Sequence, residues 1–128
     1  MKPKSIWANL TVSDLERTTR FYNALGFEAN GTPNSQLTSF FFGDSKLVIH
    51  FFARDVLQAN VNMELTNPQQ ANEVIFTLSA ETRDQVDRWA DEIRDAGGTL
   101  VSEPESKDGF YGFVFADPDG HKFNVFHM

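Results

Sequence analysis

His50 stands in the run Leu47-Val48-Ile49-His50-Phe51-Phe52, one imidazole embedded among apolar side chains. An imidazole there can act as a base, a hydrogen-bond partner or a metal ligand. In such surroundings its commoner role is that of a hydrogen-bonded core histidine. Asn124 raises a parallel question within "FADPDGHKFNVFHM", where an amide sits among aromatic and aliphatic neighbours. If buried, that amide must hydrogen-bond to something. His121 and His127 fall at a turn and at the last strand's end, and both read as surface residues. Tyr111, in "DGFYGFVF", offers a phenol either to a ligand or to hairpin packing.

Several chemistries are excluded by what is missing. There is no cysteine among the 128 residues, so disulfides, thiolate ligands and thiol nucleophiles do not arise. A metal would have to use His, Asp, Glu, Asn or Gln. No glycine-rich phosphate loop occurs, and "DAGGTL" is a helix end rather than a cradle at a helix start. No nucleophile elbow is present either. A net charge of −7 argues against binding a phosphate backbone, tolerates neutral or cationic ligands, and speaks first to solubility. The mixed-sign stretches "ERTTR" and "RDQVDRW" read as solvated helix faces. No apolar run approaches a membrane span, and "MKPKSIWANL" lacks a signal peptide's apolar stretch, so a cytoplasmic location is expected.

The elements that must position these residues follow from periodicity. "SIWANLTVSD" alternates as a half-buried strand, with Ile6, Ala8, Leu10 and Val12 on one side and Trp7, Asn9 and Thr11 on the other. Ser13 with Glu16 matches a capping box, and Leu15, Thr18, Tyr22 and Leu25 share one face of a helix that Gly26 ends. The runs "FEA", "LTSFFFG" and "KLVIHFFA" then read as strands divided by turn signals. Residues 55–71 keep no steady period and read as a linker or lid, with a helical turn before Pro68. The order then repeats. "EVIFTLSA" is a strand, Thr82 and Gln85 match a second capping box, and Val86, Trp89, Ala90 and Ile93 form a helical stripe ended by Gly97-Gly98. "TLVSE", "YGFVFA" and "HKFNVFHM" close the second unit, the last two joined across the turn Asp117-Pro118-Asp119-Gly120.

The resulting expectation is an α+β fold of two tandem βαβββ modules, about 1–54 and 72–128, within one domain. Period-two alternation puts Trp7, Asn9 and Thr11 on the side away from the first helix, together with Val48, His50 and Phe52. In the second module Ile75, Thr77, Ser79, Asn124 and Phe126 take the same side. An apolar and aromatic surface with a few polar groups is the composition of a small-molecule site.

"NLTVSDLERTTRFYNALGFE", "IRDAGGTLVSEP" and "FADPDGHKFNVF" together resemble the vicinal oxygen chelate superfamily, in its glyoxalase/bleomycin-resistance-like branch. The resemblance implies a curled mixed sheet around a cleft, commonly in a homodimer. It implies less about chemistry, because one scaffold hosts many reactions. Metal-using members place ligands on the first and last strand of each module. Carried over by motif, those positions fall at Trp7, His50, Ile75 and Asn124, where the family carries His, Glu and similar donors. Only His50 remains a good ligand.

The expected function is therefore metal-independent binding of a small molecule, without a cofactor and with no nucleic-acid or membrane partner. Its site would comprise Trp7, Asn9, His50, Phe52, Thr77, Asn124 and Phe126, with Tyr111 at the margin. The alternative is a lactoylglutathione lyase-like or dioxygenase-like enzyme holding a divalent metal ion through His50, aided by Glu64 or Glu73. A third class is an interaction module whose own phenylalanines fill the space.

Overall fold

Alternation at the start of the chain becomes strand β1, Trp7–Val12, in a computed structural model that describes residues 1–128. The chain divides into two units, Met1–Leu65 and Thr66–Met128. No helix is long and apolar enough to cross a membrane.

In the first unit β1 is followed by helix α1, Leu15–Ala24, and by strands β2, Glu28–Ala29, β3, Leu37–Phe42, and β4, Leu47–Ala53. The sheet order is β1-β4-β3-β2, with β1 parallel to β4 and the other pairs antiparallel. Asp14, not Ser13, caps α1. Its backbone is extended and its carboxylate accepts from the Arg17 amide at 3.0 Å, while Ser13 Oγ accepts from the Arg17 guanidinium. The helix buries Thr18, Phe21 and Tyr22. Tyr22 has no exposed surface: it stacks on Phe51 at 4.6 Å, meets Phe21, Phe27 and Phe42 edge-on, and packs against a tilted Phe40 ring. Such ring contacts add roughly 0.5–1.5 kcal/mol per pair beyond the area they bury. Because this core takes Phe40, Phe42, Ile49 and Phe51, the alternate residues Ser39, Phe41, Val48, His50 and Phe52 must lie on the opposite face.

The second unit repeats the plan with strand β5, Phe76–Ser79, helix α3, Arg83–Ala96, and strands β6, Thr99–Leu100, β8, Phe110–Ala116, and β9, Lys122–His127. Its sheet runs β5-β9-β8-β6, again with one parallel pair, β5 on β9. A further strand, β7, Glu105–Lys107, pairs with the start of β8 and was not anticipated, since "ESK" has no apolar alternation. Thr82 caps α3 by accepting from the Gln85 amide at 3.0 Å, and Gln85 Oε1 accepts from the Glu81 amide at 2.7 Å. Val86, Ala90 and Ile93 are the buried stripe.

Two expectations are corrected here. The linker or lid expected at 55–71, with its helical turn before Pro68, opens instead with a full helix: α2, Arg54–Val61, buries Leu57 and ends on Asn62 in the left-handed region. With one buried residue in eight it was too short to show a stripe. Leu65 is held within the first unit, its amide donating to Gln58 Oε1 at 3.1 Å and its carbonyl accepting from Arg54 at 3.0 Å, and the residues from Thr66 on are tied down within the second unit. Gln69 Nε2 donates to Pro118 O at 3.0 Å, and Asn72 Nδ2 donates to Pro68 O at 3.0 Å and Gly120 O at 3.1 Å. A Cβ on Gly120 would sit 2.7 Å from Pro68 O, so this close approach needs a glycine. The second correction is His121, which is buried rather than superficial: with Asp117 and Asp119 it forms a closed turn. Amides of Asp119 and His121 donate to Asp117 Oδ1 at 3.0 and 2.9 Å.

Candidate functional site

On the side of the first sheet away from α1, three polar residues form one row across three strands. Asn9 on β1 pairs with His50 on β4, and His50 pairs with Ser39 on β3. His50 Nδ1 lies 2.8 Å from Ser39 Oγ, and Asn30 Nδ2 donates to the same oxygen at 3.2 Å. Aromatic rings flank the imidazole: Trp7 at 6.2 Å and Phe52 at 5.9 Å, both edge-on. Trp7 is 52% exposed although it is the largest side chain on that face. A ring left open to solvent beside a polar row is available for a ligand to cover.

His50 is biased toward its neutral form. Burial among uncharged neighbours disfavours the imidazolium and lowers its pKa below the usual value of 6.5. The residues around it on the face, Trp7, Asn9, Ser39, Val48 and Phe52, carry no charge to oppose that effect.

In the second sheet the corresponding row is Thr77 on β5, Asn124 on β9 and Val114 on β8. Asn124 thus occupies the register position of His50, and its amide donates to Thr77 Oγ1 at 3.2 Å, leaving the carbonyl oxygen for another partner. Phe126, two residues on, packs against Phe110 at 5.3 Å and lies over Gly112. Ile75 is exposed, like its counterpart Trp7.

The sequence-predicted residues therefore separate into two groups and one misfit. Trp7, Asn9, His50 and Phe52 gather on one sheet face of the first unit, and Thr77, Asn124 and Phe126 gather on the corresponding face of the second. Tyr111 belongs elsewhere. It shares the helix-facing side of β8 with buried Phe113 and Phe115, donates its hydroxyl proton to Asp87 of α3, and lies under the Arg83 guanidinium at 4.6 Å. The Asp87 carboxylate raises its pKa through that hydrogen bond. His127, read from the sequence as a surface residue, is half-buried, and its Nδ1 lies 3.2 Å from Ala80 O. Ser39 and Asn30 were missed. Alternation in "LTSFFF" puts Ser39 on the same face as Phe41, but only the pairing register aligns it with His50.

The divalent ion implied by the resemblance does not fit this donor set. Trp7 and Ile75 have no donor atoms, Asn124 is a neutral amide, and no three His, Asp or Glu side chains come together to hold a metal ion. Exposed Glu64 and Glu73 join no such group.

A family model described as the Glyoxalase/Bleomycin resistance protein/Dioxygenase superfamily matches residues 5–125. A search of curated proteins returns no match. Among solved structures, a hypothetical protein from S. aureus is 34% identical, with a TM-score of 0.88, covering 100% of this chain and 96% of that one. A lactoylglutathione lyase from Agrobacterium tumefaciens is 21% identical with a TM-score of 0.71, covering 98% and 95%. A fosfomycin resistance protein from Mesorhizobium loti is 20% identical with a TM-score of 0.68, covering 100% and 94%. The last two likenesses concern the fold.

Proposed function

Because this chain belongs to the glyoxalase/bleomycin resistance protein/dioxygenase superfamily, we propose that it is a small-molecule-binding member that works without a divalent ion. The ligand surface is the sheet face of the first unit bearing Trp7, Asn9, His50 and Phe52, and the second unit carries a corresponding candidate face of its own at Thr77, Asn124 and Phe126. The observation that carries this reading is the exposed Trp7 ring beside a polar row whose imidazole is held by Ser39. An apolar wall with a few oriented polar groups supports recognition, and the missing donors speak against a tight metal site. A chain of net charge −7 favours neutral or cationic ligands over anions.

The test is a thermal-shift screen of divalent metals, thiol conjugates and glycopeptide-like cations against wild type and Trp7→Ala. An organic ligand should stabilise the wild type and lose that effect in the variant. Equal stabilisation of both removes Trp7 from the site. Elemental analysis of protein purified without chelator decides the metal question: a stoichiometric ion lost in His50→Ala would replace this reading with the lyase-like or dioxygenase-like one.

A further inference from the structure

We infer that Ser39 and Asn30 lock His50 as the tautomer protonated on Nε2, so that this face offers its ligand a hydrogen-bond donor suited to a neutral carbonyl oxygen. The inference rests on the proposed ligand face and adds the chemistry of what it takes.

Ser39 is buried, and its Oγ has two polar neighbours, Asn30 Nδ2 at 3.2 Å and His50 Nδ1 at 2.8 Å. An amide NH2 can only donate, so the Asn30 contact uses a lone pair of the hydroxyl. The single acceptor left for the hydroxyl proton is Nδ1. A neutral imidazole accepting at Nδ1 carries its proton at Nε2. Nε2 makes no hydrogen bond within the chain and is not among its buried unpaired polar atoms, so it opens to solvent as a free donor. A protonated Nε2 has no lone pair for a metal, which accords with the poor donor set around it. Rings of Trp7 and Phe52 on either side favour a flat apolar body behind the carbonyl.

The tautomer is read directly by long-range proton–nitrogen correlation of histidine-labelled protein at pH 7.5, with no ligand present. Wild type should show Nε2 protonated and Nδ1 bare at His50. Asn30→Asp should reverse this, because the new carboxylate captures the Ser39 proton and the hydroxyl then accepts from Nδ1–H. Ser39→Ala should leave a mixed population. Nδ1–H in wild type, or one unmixed tautomer in all three proteins, overturns the lock. For the ligand chemistry, acetophenone, whose carbonyl only accepts, should perturb the Nε2–H signal of wild type and bind about fivefold more weakly to Asn30→Asp, the loss expected of one ordinary hydrogen bond. Benzylamine, whose ammonium only donates, should not perturb it. A silent acetophenone titration, or an equal response to benzylamine, overturns the carbonyl assignment. Failure of the ligand face as a whole would instead show in the Trp7→Ala thermal-shift screen while the tautomers stayed as stated.

Discussion

Replacing Gly112 by alanine tests the packing that holds the Phe126 side of the site. A Cβ at position 112 would stand 2.0 Å from Val125 O, 3.1 Å from Val125 C and 2.5 Å from Cδ1 of Phe126. The phenylalanine ring can swing aside, but the carbonyl oxygen belongs to the backbone of β9, where Val125 and Phe126 are held in register with Phe113 and Gly112 of β8. Restoring ordinary van der Waals contact at 3.4 Å requires about 1.4 Å of separation between the strands at that point. Overpacking of this kind costs about 1–3 kcal/mol, and loosening one ladder hydrogen bond adds about 1 kcal/mol. Against this, alanine reduces the freedom of the unfolded chain by about 0.4–1 kcal/mol. The net loss should be roughly 2–3 kcal/mol, which for a chain of this length lowers Tm by about 6–15 °C. Urea denaturation followed by tryptophan fluorescence should show a lower midpoint with an unchanged slope. A midpoint equal to that of wild type would refute the reasoning, since the strands would then have room that the structure denies them.

Further outcomes are expected. Thr82→Ala should cost about 1 kcal/mol, because the Gln85 amide loses its acceptor, and a chemical melt reads it. The folded state favours neutral His50, so its stabilising share is complete above pH 6.5 and is lost as pH falls through the lowered folded pKa. His50→Gln should therefore weaken the decline in stability between pH 7 and 5, measured as Tm against pH, and an unchanged slope would count against burial as the cause. Each sheet ends on an edge strand, β1 or β5, flanked by exposed Ile6 at 82% and Val74 at 58%. Sedimentation at low micromolar concentration should accordingly show a homodimer burying on the order of 1,600 Å², and a single monomeric species would rule it out.

Local chemistry along the chain determined the elements. Alternation at Trp7–Val12, the capping pair Thr82 and Gln85, and the turn Asp117-Pro118-Asp119-Gly120 each specify a backbone conformation through neighbours within a few residues, so they are legible in order. The duplicated pattern and three motifs likewise carried the fold, and side-chain parity alone placed His50 with Phe52 and Asn124 with Phe126. Helix α2 escaped because one buried leucine makes no period, and β7 escaped because it is polar throughout. What only the tertiary structure decided was register and partnership. The sequence cannot say that Ser39 falls opposite His50 rather than one pair away, since a slip along β3 would turn that hydroxyl to the other face. Nor can it say that the Tyr111 hydroxyl belongs to Asp87 of α3, a contact spanning 24 residues that depends on how the helix lies on its sheet. Hydrogen bonds between distant strands follow from packing of the whole unit, and the proton on His50 follows from them.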